Sequence, residues 1–299
     1  MRNRLLAPAA VLACSLVALL TAFHAPIAAQ QAADRERTLY VSAVDDKGEP
    51  VEGLGPDAFV VREDGVKREV LRVSKANDPM DVALLVDNSW AARQEITFIR
   101  EATSKFIARL APVAQIALIT LADRPTIAVD YTNDTKKLMD AAGRLFAMSN
   151  SGMTLLDGIV ETCQGLQKRE APRAVIVPVV TDGIEFTNRY SKDVAATLRK
   201  TQVRLDLVGM GRFMYSEDQG IRERSFLLHD GPAATGGQFV SILAPMSLPD
   251  TVDRVARELA SQYKVVYARP ESLIPPEKTE VSSAKPEITM HGTPARGKV

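Results

Sequence analysis

Three stretches of this chain are apolar with almost no interruption: "VALLVD" at 82–87, "AQIALITLA" at 114–122 and "RAVIVPVVTD" at 173–182. A strand with one wet face alternates polar and apolar side chains, because successive residues point to opposite faces. Unbroken runs belong instead to strands covered on both faces, as in a parallel sheet held between helices.

The segments between them carry the helical period. "RQEITFIREATSKFIARL" spaces Ile96, Phe98, Ile99, Phe106, Ile107 and Leu110 along one side of a helix. "DTKKLMDAAGRLF" opens on Asp134, a good N-cap. "TLLDGIVETCQGLQKR", "SKDVAATLRKT" and "SLPDTVDRVARELASQY" read as further helices, the last with Ser and Pro at its start. "TIAVDYT" reads as an extended segment and "VRLDLVGMG" as a fourth buried strand. Strands alternating with helices predict an α/β fold: a doubly wound, mainly parallel central sheet flanked by helices. Such sheets bind ligands outside the carboxyl ends of their strands.

The flanks have a different texture. "TLYVSAVD", "DAFVVRED" and "REVLRVS" are strand-like and separated by the turns "DKGEP" and "EDGV", which predicts a small β-rich module over 38–76. "KANDPM" is the linker to the α/β region, 81–263. The tail, 264–292, is again β-like and too polar for the central core, so it is expected to pair with the N-terminal module. The final "TPARGKV" is expected to fray.

Two arginines precede an apolar run from Leu5 to Phe23, and "HAPIAAQ" follows. This is the pattern of a secretory signal peptide, here 1–29 with cleavage after Ala29. It predicts an exported protein, periplasmic or extracellular, that meets a membrane only through this signal or through a lipid on Cys14. Beyond the signal only Cys163 remains, so no internal disulfide forms, and its apolar setting reads as core. Lys plus Arg and Asp plus Glu each number 37, which supplies no general attraction to nucleic acid.

Two of the apolar runs end on an aspartate, Asp87 and Asp182. Ser89 follows Asp87 by two positions, and Thr154 heads a helix after "SGM". Carboxylates with hydroxyls form a hard-oxygen set, suited to magnesium, manganese or calcium rather than zinc. In order and spacing, "DNSWA", "SGMTLLDG" and "VVTDG" resemble the segments of a von Willebrand factor type A domain. The resemblance implies a non-enzymatic adhesion-type module that takes a protein or peptide partner at the top of its sheet. It also implies an Mg2+ or Mn2+ site built from Asp87, Ser89, Thr154 and Asp182, completed by a carboxylate of the partner. The flanks "VSAVDDKGEPVEGLGPDAFVVREDGVKREVLRVS" and "ELASQYKVVYARP" are similar to those of secreted bacterial proteins with divergent A domains, common in acidobacteria.

Ala91 departs from the pattern, which has a second serine there. Alanine offers no oxygen, so the site is either a weakened cation site or a vestige in a metal-independent interaction protein. A metal-dependent hydrolase using Asp87 is a third reading. Ser89 where a second Asp would stand, and no suitable catalytic His or Lys, argue against it. Gly209 and Gly211 follow a strand, but Met214 stands where a dinucleotide loop has its third glycine. His229 and His291 are expected on surface or loop positions, and His24 belongs to the signal. Asp157, one turn into the Thr154 helix, reads as a helix-start charge, with support of the site as the alternative. "GRFMYSEDQGIRERS", with Glu217 and Asp218, reads as a solvated loop near the sheet top that could shape partner choice.

Overall fold

The computed structural model describes residues 36–213, 216–270 and 276–296. The expected signal peptide and Cys14 lie outside the described residues. Among these residues no helix is long and apolar enough to cross a membrane.

The centre is a seven-stranded sheet. Its path is β11 (Phe239–Ile242), β10 (Leu207–Met210), β8 (Arg173–Thr181), β5 (Met80–Val86), β6 (Gln115–Thr120) and β7 (Thr126–Thr132), with β9 (Arg204–Leu205) paired to β8. Every pairing is parallel except that of β6 with the edge strand β7. The fold is α/β with a mainly parallel central sheet, as the unbroken apolar runs require. All seven residues of β5 and all nine of β8 are buried. Side chains alternate between the two faces: Val82, Leu84 and Val86 of β5 pack with helices α1 (Ile96–Leu110), α2 (Thr135–Gly143) and α6 (Leu248–Ala260). Ala83 and Leu85 pack with α3 (Leu155–Gln167), α4 (Ser191–Thr201) and α5 (Gln219–Thr235).

The flanking pieces build two antiparallel sheets. One runs β14 (Thr289–Pro294), β1 (Glu36–Val44), β12 (Tyr263–Ala268), β4 (Val70–Lys75); the other runs β13 (Thr279–Ser283), β2 (Phe59–Glu63), β3 (Val66–Arg68). N-terminal strands thus hydrogen-bond to C-terminal ones, β1 to β12 and β14, and β2 to β13. Both sheets share one core, in which Leu39, Val41, Phe59, Val61, Val265 and Tyr267 are buried.

Buried arginines couple this unit to the central sheet. Arg204 donates to Asp206 at 2.6 and 2.9 Å, to Glu258 of α6 at 2.6 Å and to Ser42 of β1 at 2.9 Å. Arg173 donates to the Leu259 carbonyl at 2.7 Å, to Gln262 at 2.8 Å and to the Ala76 carbonyl at 3.2 Å. Arg204 satisfies groups from three chain segments at once and Arg173 from two, which the planar fork of guanidinium donors suits.

Several sequence expectations are corrected. The run 203–211 is two strands, broken where Asp206 turns its carboxylate to Arg204. "REVLRVS" is likewise split into β3 and β4, and residues 56–58 form a 3-10 turn ahead of β2. The presumed loop at 216–225 contains the start of α5, capped by Asp218, whose Oδ1 accepts from Ile221 N at 3.0 Å. Its buried stripe includes Glu223, Arg224 and Gly231, so the apolar period that would announce a helix is missing. Residues 293–296 of the expected frayed end are held: Ala295 N donates to the Thr38 carbonyl at 2.9 Å and Arg296 Nη2 to that of Leu166 at 2.8 Å. His229 is exposed on α5, whereas His291 lies in β14 with Nδ1 3.6 Å from Glu258.

Candidate functional site

The sheet order places β5 beside β8, and their connections leave in opposite directions. Open α/β sheets bind ligands at such a switch point, at the carboxyl ends of both strands. Asp87 follows β5 directly, and its N–H still donates to the Val179 carbonyl of β8 at 2.9 Å. Its side chain is fully buried. Oδ1 accepts from Ser89 N at 2.8 Å, and Oδ2 accepts from Thr181 N at 3.1 Å and from the Thr181 hydroxyl. Three donors therefore offset the desolvation of this carboxylate.

Ser89 is 1% exposed, and its Oγ has no hydrogen-bond partner. Asn88 ties loops together: Oδ1 accepts from Ala122 N at 2.9 Å, Nδ2 donates to the Phe146 carbonyl at 3.4 Å, and its own carbonyl accepts from Met148 N at 2.8 Å. Its polar atoms are thus committed, which explains why it cannot stand in for the hydroxyl missing at Ala91. Thr154 is buried; its N–H and hydroxyl both donate to the Leu121 carbonyl, at 2.9 and 2.8 Å. The lone pairs of that hydroxyl stay available. Asp182 is exposed, and Oδ2 accepts from Arg212 N at 2.8 Å. Gly211 makes this approach possible: at φ +113° a Cβ there would stand 2.4 Å from the Asp182 carboxyl carbon. The glycine pair 209/211 therefore serves loop packing, with Gly209 facing the Phe213 ring.

Residues 81–223 match the family model described as von Willebrand factor type A domain. This segment is a von Willebrand factor type A domain. Solved structures similar to this chain include a von Willebrand factor type A protein from Catenulispora acidiphila, with TM-score 0.50 and 12% identity, covering 88% of this chain and 74% of that one. Two others are the SpRpn10 VWA domain (TM-score 0.43, 19% identity, 58% and 93% covered) and the vWF domain of the type V pili tip protein Mfa5 from Porphyromonas gingivalis (0.48, 12%, 61% and 95%). Among curated proteins none matches the sequence.

Among the described residues of this A domain no three His, Cys, Asp or Glu side chains gather to hold a metal ion. A cation would depend on the hydroxyls of Ser89 and Thr154 together with Asp87 and Asp182. The donor chemistry fits a hard ion, and the unpartnered Ser89 oxygen is the part of the shell free to serve one. The shell is nonetheless thin, because both Asp87 oxygens are already hydrogen-bonded and Ala91 adds no ligand.

Four residues around the site escaped the sequence reading. Thr181 supplies the hydroxyl that Asp87 accepts, and Gly183 lies against Ala91. Glu185 is buried at the N-terminus of α3, where Oε1 accepts from Leu156 N at 3.2 Å and Oε2 has no partner. Burial pushes its carboxyl up to about 8, against the opposing pull of those backbone N–H groups and of Arg224. Arg224, 1% exposed on α5, donates to the carbonyls of Gly183 and, at 3.4 Å, Asp182. Its only advance signal would have been two charged residues, Glu223 and Arg224, four and three positions ahead of Leu227. Asp157, finally, pairs with Arg189 Nε at 2.6 Å and accepts from the Thr187 hydroxyl at 2.9 Å, so it anchors the loop after β8.

Proposed function

We propose that this chain is an exported binding module that recognises a protein or peptide at the carboxyl end of the A-domain sheet, with no covalent chemistry. The A domain supplies the coarse reading, since this family commonly serves adhesion and protein interaction. The observation that carries the finer one is a set of large apolar side chains left in solvent there. Trp90, Phe146, Ile184 and Phe186 are 45, 63, 56 and 52% exposed. They belong to loops laced to each other: Trp90 N donates to the Ser151 carbonyl, Met153 N to that of Ile184, and Phe186 N to that of Met153. Exposed apolar side chains on a rigid, laced rim are what a partner surface needs.

In this reading Asp87, Ser89, Thr154 and Asp182 hold Mg2+ or Mn2+ weakly. A bound ion would offer an open position to a carboxylate of the partner, while Trp90 and Phe186 supply the apolar contact. A metal-independent form of the same recognition is the second reading, favoured by the three protein donors that already satisfy Asp87.

The test is peptide selection from a displayed random library on the full chain, with and without Mn2+. Trp90→Ser/Phe186→Ser should lose the selected peptides while melting within a few degrees of the parent. Selection of the same peptides by the double variant would place recognition elsewhere. Dependence on Mn2+ separates the two readings.

A further inference from the structure

We propose that Arg224 is a built-in cation of the strand-end site and sets it against divalent ions. The inference rests on the reading of Asp87, Ser89, Thr154 and Asp182 as one site.

Helix α5 carries Arg224 beneath the loop that follows β8. Its N-terminal turn comes this close because Gly220 lacks a side chain; a Cβ there would stand 2.1 Å from the Glu185 carbonyl oxygen. The guanidinium then donates to the carbonyls of Asp182 and Gly183, and its carbon lies 5.3 Å from the Phe213 ring centroid. Nε has no partner, and the side chain is 1% exposed. Burial holds the guanidinium below the ordinary arginine range, against the opposing pull of Glu185, Asp182, Asp87 and Asp218. Two of the four are the carboxylates expected to hold the ion.

Burying an unpaired guanidinium is costly, so a fully buried one needs compensating negative charge. Here the carbonyls of Gly183 and Asp182 turn their negative ends to it and supply part of that compensation. Gly183 also borders the expected ion position, since a Cβ on it would stand 3.8 Å from Ser89 Oγ, so a +2 ion there would meet the repulsion of Arg224, weakly screened in a buried setting. Ala91 removes one ligand while Arg224 adds one fixed positive charge; both changes lower the affinity for a divalent ion. The aspartates keep their geometry because protein donors hold them, Ser89 N and Thr181 on Asp87 and Arg212 N on Asp182, so the rim stays ordered without metal.

The experiment titrates Mn2+ into the full chain, followed by calorimetry and by the fluorescence of Trp90, the one tryptophan. Five proteins are compared: the parent, Arg224→Gln, Arg224→Lys, Ala91→Ser and the double variant Ala91→Ser/Arg224→Gln. Melting without metal checks the fold of each. Removal of the charge should tighten Mn2+ by about tenfold or more, whereas Arg224→Lys should stay within about threefold of the parent. Arg224→Met, a neutral side chain suited to burial, carries the same expectation should Arg224→Gln fail to fold. The proposal is overturned if the neutral variants bind Mn2+ no tighter, or if Arg224→Lys tightens it as much as they do. If Ala91→Ser gains Mn2+ affinity and the neutral variants do not, the role of Arg224 alone falls. If Ala91→Ser/Arg224→Gln still binds no Mn2+, the four-residue cation site falls with it.

Discussion

Gly183 lies against Ala91, so close that a Cβ on the glycine would stand 2.5 Å from the alanine Cβ. The two loops that follow β5 and β8 therefore meet where the family pattern has a serine hydroxyl. Gly183→Ala should force them apart. Overpacking of this kind costs about 1–3 kcal/mol, measurable as a lower urea midpoint, with a shift in Trp90 emission as the local sign.

Glu185 makes stability pH-dependent. Its folded carboxyl is pushed up to about 8 by burial, above its ordinary value of 4.5. The folded state keeps its proton where the unfolded chain has lost it. The group's contribution is therefore full below about pH 4.5 and declines as pH rises, by up to about 1.4 kcal/mol per unit, until the folded group ionises near 8. Glu185→Gln should flatten the decline between pH 5 and 8 in chemical denaturation. An unchanged pH profile in that variant would assign the slope to other groups.

The Arg204–Glu258 contact crosses between the strands of the A domain and helix α6, and Ser42 of β1 shares the same guanidinium. Arg204→Ala leaves Asp206 and Glu258 buried without their partner. Loss of one member of a buried pair costs about 3–5 kcal/mol, so the urea midpoint should drop sharply. An effect below about 1 kcal/mol would show that water replaces the arginine.

Cys163 is buried on α3, and burial pushes its thiol up to about 11. Reaction with a disulfide reagent at pH 8 should be slow in the folded protein and rapid in denaturant, because the thiolate is the reactive form. Rapid native labelling would mean that α3 opens locally.

The central sheet was legible because burial on both faces leaves a residue-by-residue trace. "VALLVD", "AQIALITLA" and "RAVIVPVVTD" are β5, β6 and β8, and Asp134 caps its helix through Lys137 N at 3.0 Å. The family likeness of 81–223 was legible as well, since it rests on letters and their order. The start of α5 was hidden, because a helix whose buried stripe holds Glu223 and Arg224 has no apolar period to detect.

The sequence alone determined that Asp87 and Asp182 stand at strand ends and that Ala91 brings no hydroxyl. Those facts are local, set by side-chain chemistry and by period. Only the tertiary structure decided what surrounds them: Thr181 bonded to Asp87, Gly183 against Ala91, and Arg224 beneath Asp182. Each of these contacts joins residues far apart in the chain or in different elements. The charge balance of the site follows from burial and distance, which no single stretch of sequence carries.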